Sequence, residues 1–347
     1  MEKASHYDVA RWWTHVTDND CDLIVRTNNG WLFNCHLDPS RFLRSPEVTE
    51  QYFKCLNMLR SGEEEIDDFY LEDACDWLLQ PFEPLINQLA PATIPLPALT
   101  ASGRPTLSQY LFPRKVTCIL EAKDNQLQAI RVEDSKQYVW EATTLKLDDN
   151  FAKDLDQWIP TFHPSSIEVY YNDPRYVVIK PATRVRVIEP DGKPVTCFFK
   201  PFKPSSHKAR TDIELSTHKK IAKAQLAPPH VRICRMYGLV RDENGLLGML
   251  FPWIDKRGVL SRGLAQKNSP DIRRRWASQI EESVKALHQE GIIWGDVKAD
   301  NVLIDKNDDA WVIDFGGSYT PGWVDPDKAG TLEGDKQGLG KIMDMLL

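Results

Sequence analysis

The sequence is poor in cysteine, and its cysteines have none of the spacings that bind zinc or build a disulfide framework. There are seven of them, an odd number, and no two form a C-x-x-C pair. This pattern argues against a structural zinc site and against a set of disulfide bonds. Free thiols are typical of a reducing compartment, so we expect the cytoplasm, with the nucleus as the alternative.

Long apolar runs are also missing. The longest nearly apolar run, residues 245–254, is about half of the ~20 residues that a membrane-spanning helix needs. Residues 1–8 lack the apolar core of a signal peptide. We therefore expect no membrane partner.

The chain has no excess of positive charge. Lys and Arg number 43 against 50 Asp and Glu, and the net charge of -7 argues against a nucleic-acid partner. The length of 347 residues predicts two domains. Residues 1–160 hold 15 basic and 26 acidic side chains, whereas residues 161–347 hold 28 and 24. An anionic ligand is therefore expected to bind in the second half.

Residues 1–160 predict an α+β domain whose role the sequence does not indicate. The aromatic run at residues 11–15 is interpreted as the core face of an amphipathic helix, and the acidic run at residues 63–68 as a solvated loop. A linker or long loop is expected over residues 90–105, which contain the proline-rich stretch 91–97. The periodicity predicts hairpins at 21–36 and 116–132, helices at 46–60 and 66–90, and a strand at 138–143.

From about residue 165 the pattern changes to short strands around one helix, followed by a helical segment. This predicts a small sheet lobe over about 165–255 and a helical lobe over about 256–347. The expected strands lie at 167–171, 176–180, 185–189, 195–200, 231–240 and 246–254, and the expected helices at 205–224 and 270–289.

A polar loop between apolar runs is the most informative segment. Asp296, Lys298 and Asn301 lie on this loop, and Asp314 follows a short predicted hairpin in an Asp-Phe-Gly turn. These residues supply an acceptor for a hydroxyl proton, a cation and two oxygen ligands for Mg²⁺. Phosphoryl transfer requires that combination.

The segment resembles the protein-kinase-like family. Its residues 294–301, W-G-D-V-K-A-D-N, correspond to the catalytic-loop pattern H-R-D-x-K-x-x-N, and residues 314–316 to D-F-G. The sequence of these two motifs is similar to that of kinase-like proteins common in filamentous fungi. The resemblance covers about residues 165–347 and places a kinase-like domain at 161–347. It implies a two-lobed fold, with a small antiparallel sheet lobe plus a reduced, atypical helical lobe, preceded by the α+β N-terminal domain.

The resemblance also implies roles for these residues. Asp296 would accept the hydroxyl proton, Lys298 would neutralise the transferring phosphoryl, and Asn301 and Asp314 would hold Mg²⁺. Asp335 is similar to the aspartate that opens the next helix of the family's helical lobe.

Nucleotide contacts follow from the same resemblance. Lys200 matches the strand lysine that binds ATP phosphates, with Glu214 as its partner, although Thr211-x-x-Glu214 also reads as a capping box. Phe251 and Trp253 would offer backbone groups to adenine, and Leu250 would be the gatekeeper.

The sequence departs from the family pattern at several places. No G-x-G-x-x-G precedes Lys200, so Thr183, Arg184 or Arg186 would have to contact phosphate through side chains, unless nucleotide binding is weak or lost. Gly295 replaces the arginine that commonly receives an activation phosphate, and no A-P-E follows Asp-Phe-Gly.

Three functions therefore stay open. The first is an ATP/Mg²⁺-dependent phosphotransferase acting on a hydroxyl of a protein or a small molecule. The second is a non-catalytic scaffold with a kinase-like fold, whose N-terminal domain binds a protein partner. The third is another nucleotide chemistry on the same fold.

Overall fold

The computed structural model describes residues 6–15, 17–96, 100, 102–133, 144–146, 149–189, 191–202, 208–226, 231–317 and 319–347. The chain forms two compact units, and each contains two separate stretches of sequence. The first unit holds residues 1–141 and 164–185, and the second holds 142–163 and 186–347. The units thus interleave, in contrast to the single predicted boundary between residues 160 and 161.

Sixteen strands and nine α-helices occur in the described part of the chain. The strands are β1 (Tyr7–Thr14), β2 (Cys21–Thr27), β3 (Trp31–Leu43), β4 (Glu65–Ile66), β5 (Phe69–Tyr70), β6 (Arg114–Lys123), β7 (Gln126–Val132), β8 (Thr161–Phe162), β9 (Glu168–Val169), β10 (Arg184–Ile188), β11 (Pro194–Pro201), β12 (Gly238–Asp242), β13 (Gly245–Pro252), β14 (Lys256–Val259), β15 (Val302–Asp305) and β16 (Ala310–Val312). The helices are α1 (Pro46–Ser61), α2 (Leu71–Leu79), α3 (Glu83–Leu89), α4 (Leu107–Leu111), α5 (Asp149–Asp156), α6 (Lys208–Ala224), α7 (Arg262–Gln266), α8 (Pro270–Gln289) and α9 (Leu332–Leu346).

The first unit is built on a five-stranded sheet in the order β1-β2-β3-β6-β7. Strands β3 and β6 run parallel, and the other neighbours are antiparallel. Alternate residues of β2 point to one face, where Cys21, Leu23 and Val25 join a core with buried side chains of α1 and α2. The two predicted hairpins of this half are therefore present.

Three predictions for the first unit need comment. The helix expected at residues 11–15 is wrong, because residues 11–14 continue β1 and pair with β2. Trp12, opposite Leu23, still packs against the core. The helix expected over 66–90 is broken, because Pro81 and Pro84 each begin a new helical segment after α2. The strand expected at 138–143 lies outside the described residues.

Strands β8, β12, β13 and β11, and residues 186–188 of β10, lie side by side in that order in the second unit. Cys197 and Phe199 of β11 are buried on one face, whereas Phe198 and Lys200 point to the other. The predicted strand at 231–240 begins only at Gly238. The strand predicted at 176–180, in the first unit, is wrong. A 3-10 turn capped by Asp173 ends at Tyr176, and Val178 has a φ of 51°, which is a left-handed conformation and not that of a strand.

Helix α8 forms over the predicted residues. The Ser269 side chain accepts a hydrogen bond from the Ile272 amide at its start, and Gly291 follows its end with a φ of 67°. The β15–β16 hairpin, α8 and α9 share a core that includes Trp276, Trp294 and Phe315. In the described part of the chain no helix is both long enough and apolar enough to cross a membrane.

Candidate active site

The loop between α8 and β15 is held from below by a buried carboxylate of α9. Asp335, in the first turn of α9, accepts hydrogen bonds from the backbone amides of Trp294 at 2.7 Å and Gly295 at 2.9 Å. The His288 Nε2 atom lies 2.8 Å from the same carboxylate, which is 1% exposed. These contacts fix the backbone on the amino-terminal side of Asp296.

Both oxygens of the Asp296 carboxylate are hydrogen-bonded. Oδ2 accepts from the Lys298 ammonium at 2.7 Å and from the Asn301 amide at 3.1 Å. Oδ1 accepts from the Thr320 hydroxyl at 2.7 Å, and the Lys298 ammonium also donates to that hydroxyl at 2.9 Å. The structure thus brings Asp296, Lys298 and Asn301 together, as the loop spacing predicts.

Thr320 is a site residue that the sequence reasoning missed. It lies 24 positions after Asp296 and bridges the carboxylate and the ammonium of the loop. Its only sequence signal is a threonine a few residues after the Asp-Phe-Gly turn. Nothing in the spacing says that the chain folds back onto the loop at this point.

Lys200 meets carboxylates from two other elements. Its ammonium lies 2.7 Å from Glu214 of α6 and also contacts Asp314 in the turn after β16. Burial alone would lower the pKa of Lys200, but the two carboxylates outweigh it and raise the pKa above its usual value. Since α6 begins at Lys208, Glu214 lies in the second turn and cannot close a capping box with Thr211.

The Asp-Phe-Gly turn packs directly on α6. Asp314 has a φ of 62°, a left-handed conformation that is uncommon for a residue other than glycine and is found at functional sites. Gly316 has a φ of 74°, and a Cβ atom there would lie 2.8 Å from the Cα of Glu214. Phe315 is fully buried in the same core as Trp294, and its ring lies 5.9 Å from that of His218. The turn therefore sets the distance between Asp314 and α6.

Asn301 and Asp314 are adjacent and suit a hard divalent cation. The Ile313 amide donates to the Asn301 carbonyl at 3.0 Å, which brings Asp314 beside the loop. The Asn301 amide nitrogen donates to the Asp296 carbonyl at 2.8 Å, so its Oδ1 atom is the one oriented for a cation. The described residues contain no group of three His, Cys, Asp or Glu side chains that could hold a metal. Two oxygen ligands completed by phosphate and water are what Mg²⁺ commonly uses.

Of the backbone groups predicted to contact adenine, the two amides are used within the sheet, and the adenine contacts themselves stay a prediction. The Trp253 amide donates to the Thr196 carbonyl at 3.0 Å, so it is already used within the sheet. Hydrogen-bonded pairs alternate along an antiparallel ladder, so Phe251 also exchanges its backbone hydrogen bonds with Phe198, its partner on β11. Neither amide is available to a ligand in this arrangement.

The prediction that Leu250 is the gatekeeper residue is wrong. Leu250 is opposite Phe199, so its side chain points away from the face that carries Lys200. Phe251 occupies the expected place instead, and its buried ring lies 5.2 Å from that of His218.

Arg184 begins β10 and is exposed, with its guanidinium 5.5 Å from the ring centroid of Tyr170. Both residues belong to the first unit. A role for Arg184 toward phosphate stays a prediction.

Known proteins resemble the part of the chain that contains this site. Residues 196–321 match the family model described as protein kinase domain. A probable serine/threonine-protein kinase, fnkE of Dictyostelium discoideum, is 37% identical over 83 residues, which is 23% of this chain and 6% of that protein. The serine/threonine-protein kinase kin-29 of Caenorhabditis elegans is 33% identical over 91 residues, 26% of this chain and 11% of that protein.

A third relative is the serine/threonine-protein kinase PKH3 of Eremothecium gossypii, which is 30% identical over 115 residues, 31% of this chain and 14% of that protein. The chain therefore spans only a small part of each of these relatives. They come from diverse organisms, so the specific likeness to fungal kinase-like proteins stays a prediction. Residues 196–321 are therefore similar to protein kinase domains.

Proposed function

We propose that the protein is an ATP- and Mg²⁺-dependent kinase that transfers the γ-phosphoryl group to a serine or threonine hydroxyl of a protein. The observation that carries this proposal is the convergence at Lys200. One ammonium meets Glu214 and Asp314, which come from two separate elements of the second unit. Such an arrangement fixes a positive charge beside a carboxylate suited to a phosphate-bound cation.

Asp296 is the proposed catalytic carboxylate. The acceptor oxygen attacks the γ-phosphorus while the bond to the bridging oxygen of ADP breaks, and the hydroxyl proton passes to Asp296. Lys298 and Thr320 hold this carboxylate from both sides, so it is oriented before the acceptor arrives. Lys298 also supplies positive charge beside the transferring group.

Lys200, Asn301 and Asp314 form the donor side of the proposed site. When bound, Mg²⁺ neutralises phosphate charge, and Asn301 and Asp314 are the residues that would hold it. Glu214 holds the Lys200 ammonium in place at 2.7 Å. The serine/threonine acceptor rests on the printed names of the relatives, and a small-molecule hydroxyl is the alternative acceptor.

The test is phosphate transfer by the full chain with γ-³²P-labelled ATP and Mg²⁺, offered a mixture of cell-extract proteins or a pool of small metabolites. Asp296→Asn is expected to lower transfer by about 10²–10⁴-fold, because the variant cannot accept the proton. Asp300→Asn is the matched control, since Asp300 is exposed on the same loop and should retain transfer.

The results separate the alternatives. Equal transfer by the wild type and Asp296→Asn contradicts the proposed mechanism. Label found only in the metabolite pool rejects the protein acceptor, and label transferred from α-³²P-ATP instead indicates nucleotidyl transfer. A chain that binds a partner protein but neither binds nor turns over ATP is the scaffold.

A further inference from the structure

The five-stranded sheet of the first unit ends in two edge strands, β1 and β7, which differ in how they are protected. Strand β1 has a bulge between Val9 and Arg11, and its Asp8 carboxylate lies 2.9 Å from the Lys180 ammonium. Bulges and charged side chains of this kind hinder pairing with another chain. Strand β7 pairs with β6 without a bulge, contains no lysine, proline or glycine, and has Arg131 as its single charged residue. Strand β7 is therefore the unprotected edge of this sheet.

The turn before β7 determines which of its backbone groups point outward. Asp124 and Asn125 form a two-residue loop in which both φ angles are positive, at 52° and 61°. The residues that flank such a loop are hydrogen-bonded to each other, and hydrogen-bonded pairs then alternate along the ladder. The N–H and C=O groups of Leu127, Ala129 and Arg131 therefore point away from β6. In the described part of the chain, no strand pairs with that side of β7.

These outward groups make β7 complementary to a second copy of itself. An antiparallel pair of β7 strands with its twofold axis at Ala129 places Leu127 of each copy opposite Arg131 of the other. Each outward N–H group then donates to an outward C=O group of the other copy. A register shifted by two residues would leave one of these three positions in each copy without a partner. The hydrogen-bonding pattern therefore selects a single, symmetric register.

The side chains of β7 are compatible with this register. Like charges do not meet, because Arg131 lies opposite Leu127, over which its aliphatic stem can pack. A cavity of about 560 Å³ lies at the hairpin end of β7, where this arginine of the other copy would come to lie. The cavity is lined by Lys123, Asp124, Gln126, Leu127 and Gln128. The cavity thus offers room for the one long side chain that the second copy brings.

We propose that the chain forms a twofold-symmetric dimer in which two β7 strands pair antiparallel and join the sheets of two first units. The occupant of the β7 edge is a second copy of this chain. Two short strands form a small interface, in the class of contacts below about 1,200 Å² that are weak, so the expected Kd is about 10–100 µM. The dimer is independent of the proposed function, since all of its residues lie in the first unit.

Sedimentation equilibrium of the full chain over about 2–200 µM tests the proposal, because this range brackets the expected Kd. Arg131→Pro is expected to raise the Kd at least tenfold, since proline removes an outward N–H group and its ring blocks the approach of the second strand. Arg131→Ala is the matched control. It keeps both backbone groups and is expected to change the Kd by less than about threefold.

Hydrogen exchange of the wild type provides a second measurement that needs no variant. The segment of residues 126–132 is expected to exchange more slowly at about 200 µM than at about 2 µM, because its outward amides become hydrogen-bonded in the dimer. The segment of residues 7–14, which forms the opposite edge strand, is the internal control and should exchange equally at both concentrations.

Thermal unfolding at low concentration establishes that Arg131→Pro is folded, since the Arg131 side chain is exposed and its N–H group points away from β6. A wild type that stays monomeric up to about 200 µM overturns the proposal. A dimer that Arg131→Pro forms as readily as the wild type, or one that slows exchange at residues 7–14 and not at 126–132, places the interface elsewhere and overturns it as well.

Discussion

The Thr320 hydroxyl bridges the Asp296 carboxylate and the Lys298 ammonium. It donates to Asp296 at 2.7 Å and accepts from Lys298 at 2.9 Å. Without it, the Oδ1 atom of the carboxylate loses the hydrogen bond from Thr320. The segment after the Asp-Phe-Gly turn therefore contributes directly to the orientation of Asp296.

Replacing Thr320 by alanine is expected to lower kcat about 10- to 100-fold with little change in the KM for ATP. A hydrogen bond to a charged group contributes about 1.5–3 kcal/mol, and here it positions a catalytic group. Steady-state kinetics of Thr320→Ala and Thr320→Ser measure the effect. Serine keeps the hydroxyl and should restore most of the rate; equal loss in both variants would show that the methyl group, not the hydroxyl, is what matters.

Gly316 sets how closely the Asp-Phe-Gly turn approaches α6. It has a φ of 74°, and an added Cβ atom would meet Glu214 Cα at 2.8 Å and Thr217 Oγ1 at 3.1 Å. Gly316→Ala is expected to lower the free energy of unfolding by about 2–4 kcal/mol and to reduce transfer, because α6 must move away from Lys200. Urea unfolding and the phosphate-transfer assay measure the two effects.

Gly322→Ala is the control for this prediction. Gly322 has a φ of 85°, but a Cβ atom there meets nothing within 4 Å. It therefore carries only the backbone cost of about 1–2 kcal/mol and should leave transfer unchanged. Equal losses of stability in the two variants would mean that contact with α6 contributes nothing.

At the scale of the element, α6 carries a buried histidine one turn after Glu214. His218 is 2% exposed, and neither ring nitrogen has a hydrogen-bond partner in the described part of the chain. Its ring packs between Phe251 and Phe315. Burial, followed by the nearby charge of Lys200, lowers the pKa of His218 from 6.5 to about 3.

This shift makes α6 sensitive to acid. The unfolded chain binds a proton at His218 below about pH 6.5 and the folded chain does not, so stability falls as the pH drops from about 6.5 toward 3. The slope from this group reaches about 1.4 kcal/mol per pH unit. His218→Leu is expected to flatten the pH dependence in that window and to be neutral or stabilising at pH 7, because it removes unpartnered nitrogens.

Chemical denaturation of the wild type and the variant across this pH range tests the prediction. His163→Gln is the control, since the His163 side chain is 53% exposed. An unchanged pH dependence in His218→Leu would mean that the imidazole gains a partner or water on protonation.

Local signals predicted some elements well. Helices α1 and α8 each begin with Ser-Pro and are followed by a glycine of positive φ, so both ends were readable from the sequence. Strand β1 was mistaken for a helix because its short aromatic run fits either period, and pairing with β2 decides between them.

The candidate site likewise contains residues that local signals predicted and one that they did not. Asp296, Lys298 and Asn301 were found because they lie on one loop. Lys200 and Glu214 were found because they match the strand lysine and its glutamate partner in the protein-kinase-like family. Thr320 could not be found, since its contact depends on how the chain returns over the loop. The use of the Phe251 and Trp253 amides within the sheet was not predicted either, because it depends on the register of the β-ladder.

At the scale of the whole molecule, each of the two units is built from two separate stretches of the chain. Residues 142–163 belong to the second unit, where Leu155 and Ile159 are buried in a core with β12 and β13 residues. Lys219 of α6 contacts Asp154, and Arg241 of β12 lies 3.2 Å from Asp156. A cut at the predicted boundary, after residue 160, would remove these contacts from the kinase-like part.

A fragment of residues 161–347 is therefore expected to be less stable than a fragment of residues 142–347. Losing two buried aliphatic side chains costs about 2–5 kcal/mol each. Urea unfolding of the two fragments measures the difference, and the longer fragment serves as the matched control. Equal midpoints would mean that helix α5 and the residues after it add nothing to this core.

The position of Asp335 in the sequence determines when, during synthesis, the Asp296 loop gains its support. Its carboxylate accepts hydrogen bonds from the amides of Trp294 and Gly295, yet it is synthesised about forty residues after them. The Asp296 loop is therefore synthesised before the carboxylate that shapes it. Until Asp335 has been added and α9 begins to fold, the nascent chain carries this loop without that support.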